Sequence, residues 1–189
     1  MAPRTPWVVP ADLHGEGVRL RPLRDDDLAI AEPHDHPAHH LPAHAVPTPE
    51  TFDEWVLRRR ESVALGMSMV WCITDPADDE PLGEVLVFVR SGHLAEGGTA
   101  ELGYTVRPSA RGRGLAREAA RSAAAHALQP TARGGLGLRR LVAETAADHA
   151  ASNRVLTAAG FTVWGRERAA DAPDGSVGPA LHWERLAEG

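Results

Sequence analysis

The segment that most narrows the fold is Glu101-Leu-Gly-Tyr-Thr-Val-Arg-Pro-Ser-Ala-Arg-Gly-Arg-Gly-Leu-Ala116, where a strand pattern passes through a glycine-containing turn into a helix pattern. Pro108 stops the strand over Thr99–Val106, and an Ala-rich helix follows over about Leu115–Leu128. Gly112 and Gly114 let the backbone approach an anion closely. The first amides of the helix have no internal partners and carry the positive end of its dipole, which suits a pyrophosphate. Arg111 and Arg113 add charge-assisted donors at the rim. A tight turn with glycines chosen for geometry alone is the competing reading.

What precedes the turn separates two phosphate-binding architectures. Strand patterns at Ser68–Thr74, 82–89 and Thr99–Val106 are divided by Asp75-Pro-Ala-Asp78 and by Gly92 to Gly98, which predicts an antiparallel meander. A dinucleotide fold needs strand–helix alternation, a third glycine where Arg117 stands, and an acidic strand end about 20 residues on. None of these is present. Upstream, residues 16–22 read as a strand, and Asp25, Asp26 and Asp27 can cap a brief helix at Leu28–Ala31. Thr51-x-x-Glu54 reads as a capping box opening a helix that Gly66 ends. Downstream come a strand at 138–145, a helix at 151–159, and strands at 161–167 and 179–185. With no repeat and no linker, residues 1–189 are expected to form one mixed α/β domain on a largely antiparallel sheet.

Composition removes several chemistries. All twenty Lys+Arg residues are arginine, so Schiff-base and pyridoxal-phosphate catalysis is excluded, as is a phosphate loop ending in Gly-Lys-Ser/Thr. The net charge of −6 argues against a general nucleic-acid binder. Cys72 is the sole cysteine, which excludes an internal disulfide and a cysteine-based zinc site. No apolar run reaches the roughly 20 residues of a membrane span, and residues 1–4 do not open a signal peptide. A cytoplasmic protein is the expectation.

Arg111-x-x-Gly114-x-Ala116 resembles the Arg/Gln-x-x-Gly-x-Gly/Ala signature of the GNAT superfamily of N-acetyltransferases. Arg19-Leu-Arg-Pro-Leu-Arg-Asp25, Glu101-Leu-Gly-Tyr104 and Ala150-Ala-Ser152-x-Arg154-Val-Leu156-x-x-x-Gly160-Phe161 are similar, in order, to the opening strand, fourth strand and late helix of its Rim-type branch. The resemblance covers about residues 16–186. It implies a GNAT-like sheet of about six to seven strands flanked by about four helices. Acetyl-CoA is the implied co-substrate, without a metal, and a primary amine of a small molecule or of a protein N-terminus is the implied acceptor. No nucleic acid or membrane enters, and a homodimer is compatible. The resemblance places the CoA phosphates on Arg111, Gly112, Arg113, Gly114, Leu115 and Ala116. It also implies that backbone amides near Thr105 and Val106 hold the pantetheine arm and polarise the thioester, in a cleft made by splaying of the family's fourth and fifth strands.

The chain departs from the branch in two places. His149 stands where Rim-type proteins carry an asparagine that contacts the cofactor, and Asp148 is then a candidate helix cap. The late-helix tyrosine that many family members use as proton donor is also missing, since the only tyrosine is Tyr104, in a strand. Ser152 occupies the branch's place next to the departing thiolate, as donor, cofactor contact or helix-start residue. Glu101 is the first candidate for the base, or for a group that orients the acceptor, with Glu84 and His149 behind it.

His34, His36, His39, His40 and His44 crowd eleven residues among Pro33, Pro37, Pro42, Pro47 and Pro49. The prolines prevent helical ligand spacing, so a substrate-side loop is expected ahead of a metal site. Trp7, Trp55, Trp71, Trp164 and Trp183 are read as core or cleft residues, and Cys72 as packing. The main expectation is an enzyme that transfers acetyl directly in a ternary complex. A non-catalytic acyl-CoA-binding domain of the same fold is the alternative.

Overall fold

A computed structural model describes residues 10–90 and 92–188. Its eight strands form one sheet: β1 (Leu13–Gly15), β2 (Val18–Pro22), β3 (Ser68–Thr74), β4 (Pro81–Phe88), β5 (Thr99–Val106), β6 (Arg140–Ala146), β7 (Thr162–Asp171) and β8 (Val177–Leu186). Their order is β1-β2-β3-β4-β5-β6-β8-β7, and every pairing is antiparallel except β5 with β6. The three α-helices among the described residues are α1 (Phe52–Ala64), α2 (Leu115–Leu128) and α3 (Ala150–Ala158). The parallel pair follows from α2, because strands joined by a crossover helix run the same way.

β3 is buried along its whole length because both of its faces are covered. Trp71, Met69 and Ile73 enter the main core, while Cys72 meets Phe52, Trp55 and Val56 of α1 on the other face. On the main-core side, α2 presents Ala119, Ala120, Ala123, Ala124 and Ala127, all fully buried. Small side chains at helical spacing let its backbone lie close to β4 and β5, which is where the cleft needs a helix start.

The structure corrects several expectations. The strand expected at 16–22 is a hairpin, β1 and β2, turning at Glu16-Gly17, which raises the strand number above seven. Leu28–Ala31 is a single 3-10 turn, which lowers the α-helix number below four. Asp27 does not cap it, because its carboxylate accepts two hydrogen bonds from the buried Arg21 guanidinium, at 2.6 and 2.9 Å. Nor does the capping box form: Thr51 Oγ1 accepts from the Thr48 amide instead, at 2.9 Å. Asp148 does not cap α3, since its carboxylate turns outward to two histidines. Trp55, Trp71 and Trp183 are core residues, but Trp164 lies exposed on the edge strand β7, with Arg140 over its ring. Trp7 lies outside the described residues.

Candidate active site

The pairing of β5 with β6 stops early. Only Thr99, Ala100 and Glu101 are in register with Arg140, Leu141 and Val142, and beyond them both strands run on without bonding each other. The gap opens a cleft of about 880 Å³. Backbone polarity then decides which groups face it. The Arg107 amide donates to Leu82 O of β4, so by alternation the amides of Thr105 and Gly103 also face β4, and those of Tyr104 and Val106 face the gap. Of the two amides expected to hold the pantetheine arm, only that of Val106 points into the gap. That of Thr105 is taken by β4, although the residue lines the cleft.

One end of the cleft is the 111–116 turn. Gly112 and Gly114 both sit in the left-handed region, at φ 79° and 81°, which a β-carbon would strain. Gly114 is the N-cap of α2, and the first amide with a partner in the helix is that of Glu118, to Gly114 O at 3.2 Å. The preceding amides are thus left for an anion. Arg111 reaches the cleft but is held by Asp35 and by His34 Nδ1, the latter at 3.2 Å. Arg113 is the one expected cofactor residue that does not line the cleft. Its guanidinium bonds Asp75 at 2.8 Å, because Asp75 sits at the end of β3 just outside the turn.

Midway, Tyr104 Oη lies 2.7 Å from Ser152 Oγ and also donates to Ser152 O at 3.3 Å. The absence of a late-helix tyrosine is thus offset: a strand tyrosine brings its hydroxyl to the late helix. Burial pushes its phenol up to about 12, against the opposing effect of Ser152, so it stays protonated at neutral pH. Its spacing in β5 was legible in the sequence; its partner was not. Asn153, the only asparagine, accepts from Thr145 Oγ1 at 2.7 Å and donates to Ala147 O at 3.1 Å, stitching α3 to β6.

Cross-strand pairs place Glu84 opposite Thr105 and Glu101 opposite both Phe88 and Val142, so Glu84, Glu101 and Glu144 share the sheet face turned away from Tyr104. Glu101 lines the cleft and pairs with the exposed Arg90 at 2.8 Å. Glu84 is fully buried and is bonded by Arg59 of α1 at 3.0 and 3.2 Å; burial raises its carboxyl and Arg59 opposes the rise. Cys72 is buried opposite Arg21 of β2, and burial, with the Asp27 carboxylate adding to it, pushes its thiol up against the opposing Arg21 guanidinium, which suits packing and no acyl-carrier role.

The proline-rich loop folds onto the same cleft. His36, His40 and His44 line it with His149 at the start of α3. His40 and His149 stack with ring centroids 4.0 Å apart. Burial, with the neighbouring histidines adding to it, pushes His149 down to about 4, so its imidazole is neutral at pH 7 and can donate one hydrogen bond.

A gap between two parallel strands, a helix start with unpartnered amides at its end and a protonated hydroxyl pair along it are the features an acyl-CoA transferase needs. The model of the acetyltransferase (GNAT) domain matches residues 18–162, and the chain belongs to the GNAT acetyltransferase family. It is an acetyl-CoA-dependent N-acetyltransferase. No curated protein sequence matches the chain significantly. Among solved structures, ribosomal-protein-S5-alanine acetyltransferase of Vibrio fischeri is similar at 19% identity and TM-score 0.73, over 94% of this chain and 97% of that one. RimJ of Mycobacterium smegmatis, in complex with CoA-disulfide, is 22% identical with TM-score 0.74, over 94% and 86%. The Salmonella typhimurium acetyl transferase that modifies the N-terminal serine of ribosomal protein L7/L12 is 18% identical with TM-score 0.72, over 91% and 96%. At these identities the likeness is one of fold. No helix among the described residues is long and apolar enough to cross a membrane.

Proposed function

We propose that this chain, acting in the cytoplasm as a single domain, acetylates the α-amino group of a peptide or protein N-terminus. The amine attacks directly in a ternary complex. The observation that carries the catalytic reading is the Tyr104–Ser152 pair beside the unbonded edge of β5. In this reading the CoA phosphates sit on the 111–116 turn, and the pantetheine runs along β5 with the Val106 amide polarising the thioester carbonyl. Thiolate leaves on the face of Tyr104 and Ser152. The amine enters from the opposite face, where Glu101 takes its proton directly or through a water.

Complete proton transfer from a phenol near 12 to a thiolate of ordinary pKa (about 8.5) would be uphill. The pair therefore stabilises the developing thiolate by hydrogen bonding, and the thiolate takes up its proton as solvent enters. The acceptor class is supported by the activities of the similar Vibrio and Salmonella proteins, both of which modify ribosomal proteins. It is also supported by a cleft that is open enough for a chain terminus and carries carboxylates on the entry face.

Thiol release from acetyl-CoA, measured with peptides bearing free or blocked N-termini and with small amines, tests this. Release with free N-termini alone is the expected result. Release with small amines only would move the acceptor to that class, and cofactor binding without release for any amine would remove the enzymatic reading.

A further inference from the structure

The histidine cluster where the 33–49 loop meets α3 has the composition and the second shell of a transition-metal site. One ring nitrogen from each of His36, His40 and His149 lies within 4.8 Å of the others. His40 is the central member. Its Nε2 bonds Asp148 Oδ1 at 3.0 Å, and its side chain is only 9% exposed. Its Nδ1 is buried and has no hydrogen-bond partner among the described residues. A buried ring nitrogen left unsatisfied costs free energy, so its persistence calls for a ligand. The Asp148 contact is the carboxylate–histidine arrangement that accompanies metal-bound imidazoles. A carboxylate accepting from Nε2–H fixes the tautomer and leaves the lone pair on Nδ1.

We propose that His36, His40 and His149 bind one divalent zinc ion, with Asp148 orienting His40, and that the ion clasps the 33–49 loop onto the start of α3. Three imidazoles without a thiolate suit a borderline divalent ion such as Zn2+, while Ca2+ and Mg2+ prefer oxygen donors. Zinc–nitrogen bonds of about 2.0–2.1 Å bring tetrahedral ligand nitrogens to roughly 3.3 Å apart. Binding therefore draws the cluster inward and opens the His40–His149 ring stack, now nearly parallel at 5°. The loop carries His36 and His40 while His149 is the N-cap of α3, so this contraction fastens one to the other at the mouth of the cleft. His39 and the Asp148 carboxylate, 3.0 Å apart, form a second group with His40. That group shares His40 but lacks the other two imidazoles.

The test is a zinc titration of the untagged, chelator-stripped full chain against a chromophoric competitor, with thermal melts of each variant as a check on folding. One zinc per chain is expected, with a rise in melting temperature on addition. His36→Gln and His149→Gln should each weaken binding by at least about tenfold, since even loss of a supporting partner costs about 10–100-fold. His14→Gln, on the exposed hairpin, should leave affinity unchanged. Cobalt substitution should give the intense visible bands of a four-coordinate site, lost in His36→Gln. Absence of stoichiometric zinc overturns the proposal. So does unchanged affinity in folded His36→Gln and His149→Gln, or a loss confined to His39→Gln.

Discussion

Tyr104 Oη and Ser152 Oγ lie 2.7 Å apart, joining the splayed strand β5 to the first turn of α3. In the proposed mechanism the only tyrosine of the chain is the group that hydrogen-bonds the departing thiolate. Tyr104→Phe is expected to lower kcat by about 100-fold, the lower end for removing one hydrogen-bond donor to a developing anion, with little change in KM for acetyl-CoA. Ser152→Ala should cost less, and the double variant should cost about as much as Tyr104→Phe alone, because the two hydroxyls act as one unit. Initial rates at saturating peptide measure all three.

Being alone, Tyr104 can be titrated by its tyrosinate absorbance. It should ionise near 12 in the folded protein, and near its ordinary value of about 10 once unfolded. The sign follows: the folded pKa is raised, so this contribution to stability is intact below pH 10 and is lost as pH climbs through 12. Denaturant midpoints across that interval should fall less steeply in Tyr104→Phe.

Arg111 is held by Asp35 before any phosphate arrives, and the same contact keeps the Asp35 carboxyl below its ordinary value. Arg111→Ala should weaken CoA binding by about tenfold, near the lower bound for a charge-assisted hydrogen bond, since part of the gain is offset by releasing Asp35. Asp35→Ala should tighten CoA. Calorimetric titration with CoA measures both.

Gly114 caps α2 at φ 81°, where a β-carbon costs about 1–2 kcal/mol. Gly114→Ala should weaken CoA binding more than it lowers the melting temperature. The strained turn can relax without a ligand, but it cannot relax and still aim its amides at phosphate. The same calorimetry, set beside a thermal melt, separates the two effects.

The glycine turn into α2 was legible in the sequence because its logic is local: glycines, arginines and a helix start fall within six residues. The meander was legible for the same reason, through alternation and turn residues. What stayed hidden were contacts between distant segments. Asp27 is a good helix cap by local chemistry, yet Arg21 from β2 claims it inside the protein. Arg113 has the spacing of a phosphate ligand, but Asp75 reaches it first. Tyr104 was visible only as a strand residue, and the meeting with Ser152 depends on how far β5 and β6 separate before α3 returns. The histidines were legible as a crowd, whereas their convergence on His149 needed the fold.

Direct transfer within a ternary complex in the gap between β5 and β6 forms no acyl-enzyme. Initial velocities with acetyl-CoA and an N-terminal peptide varied together, alongside the mass of the protein incubated with acetyl-CoA alone, test it most directly. The structure predicts intersecting double-reciprocal lines and an unmodified chain. Parallel lines, with an acetyl group covalently held by the protein, would contradict it.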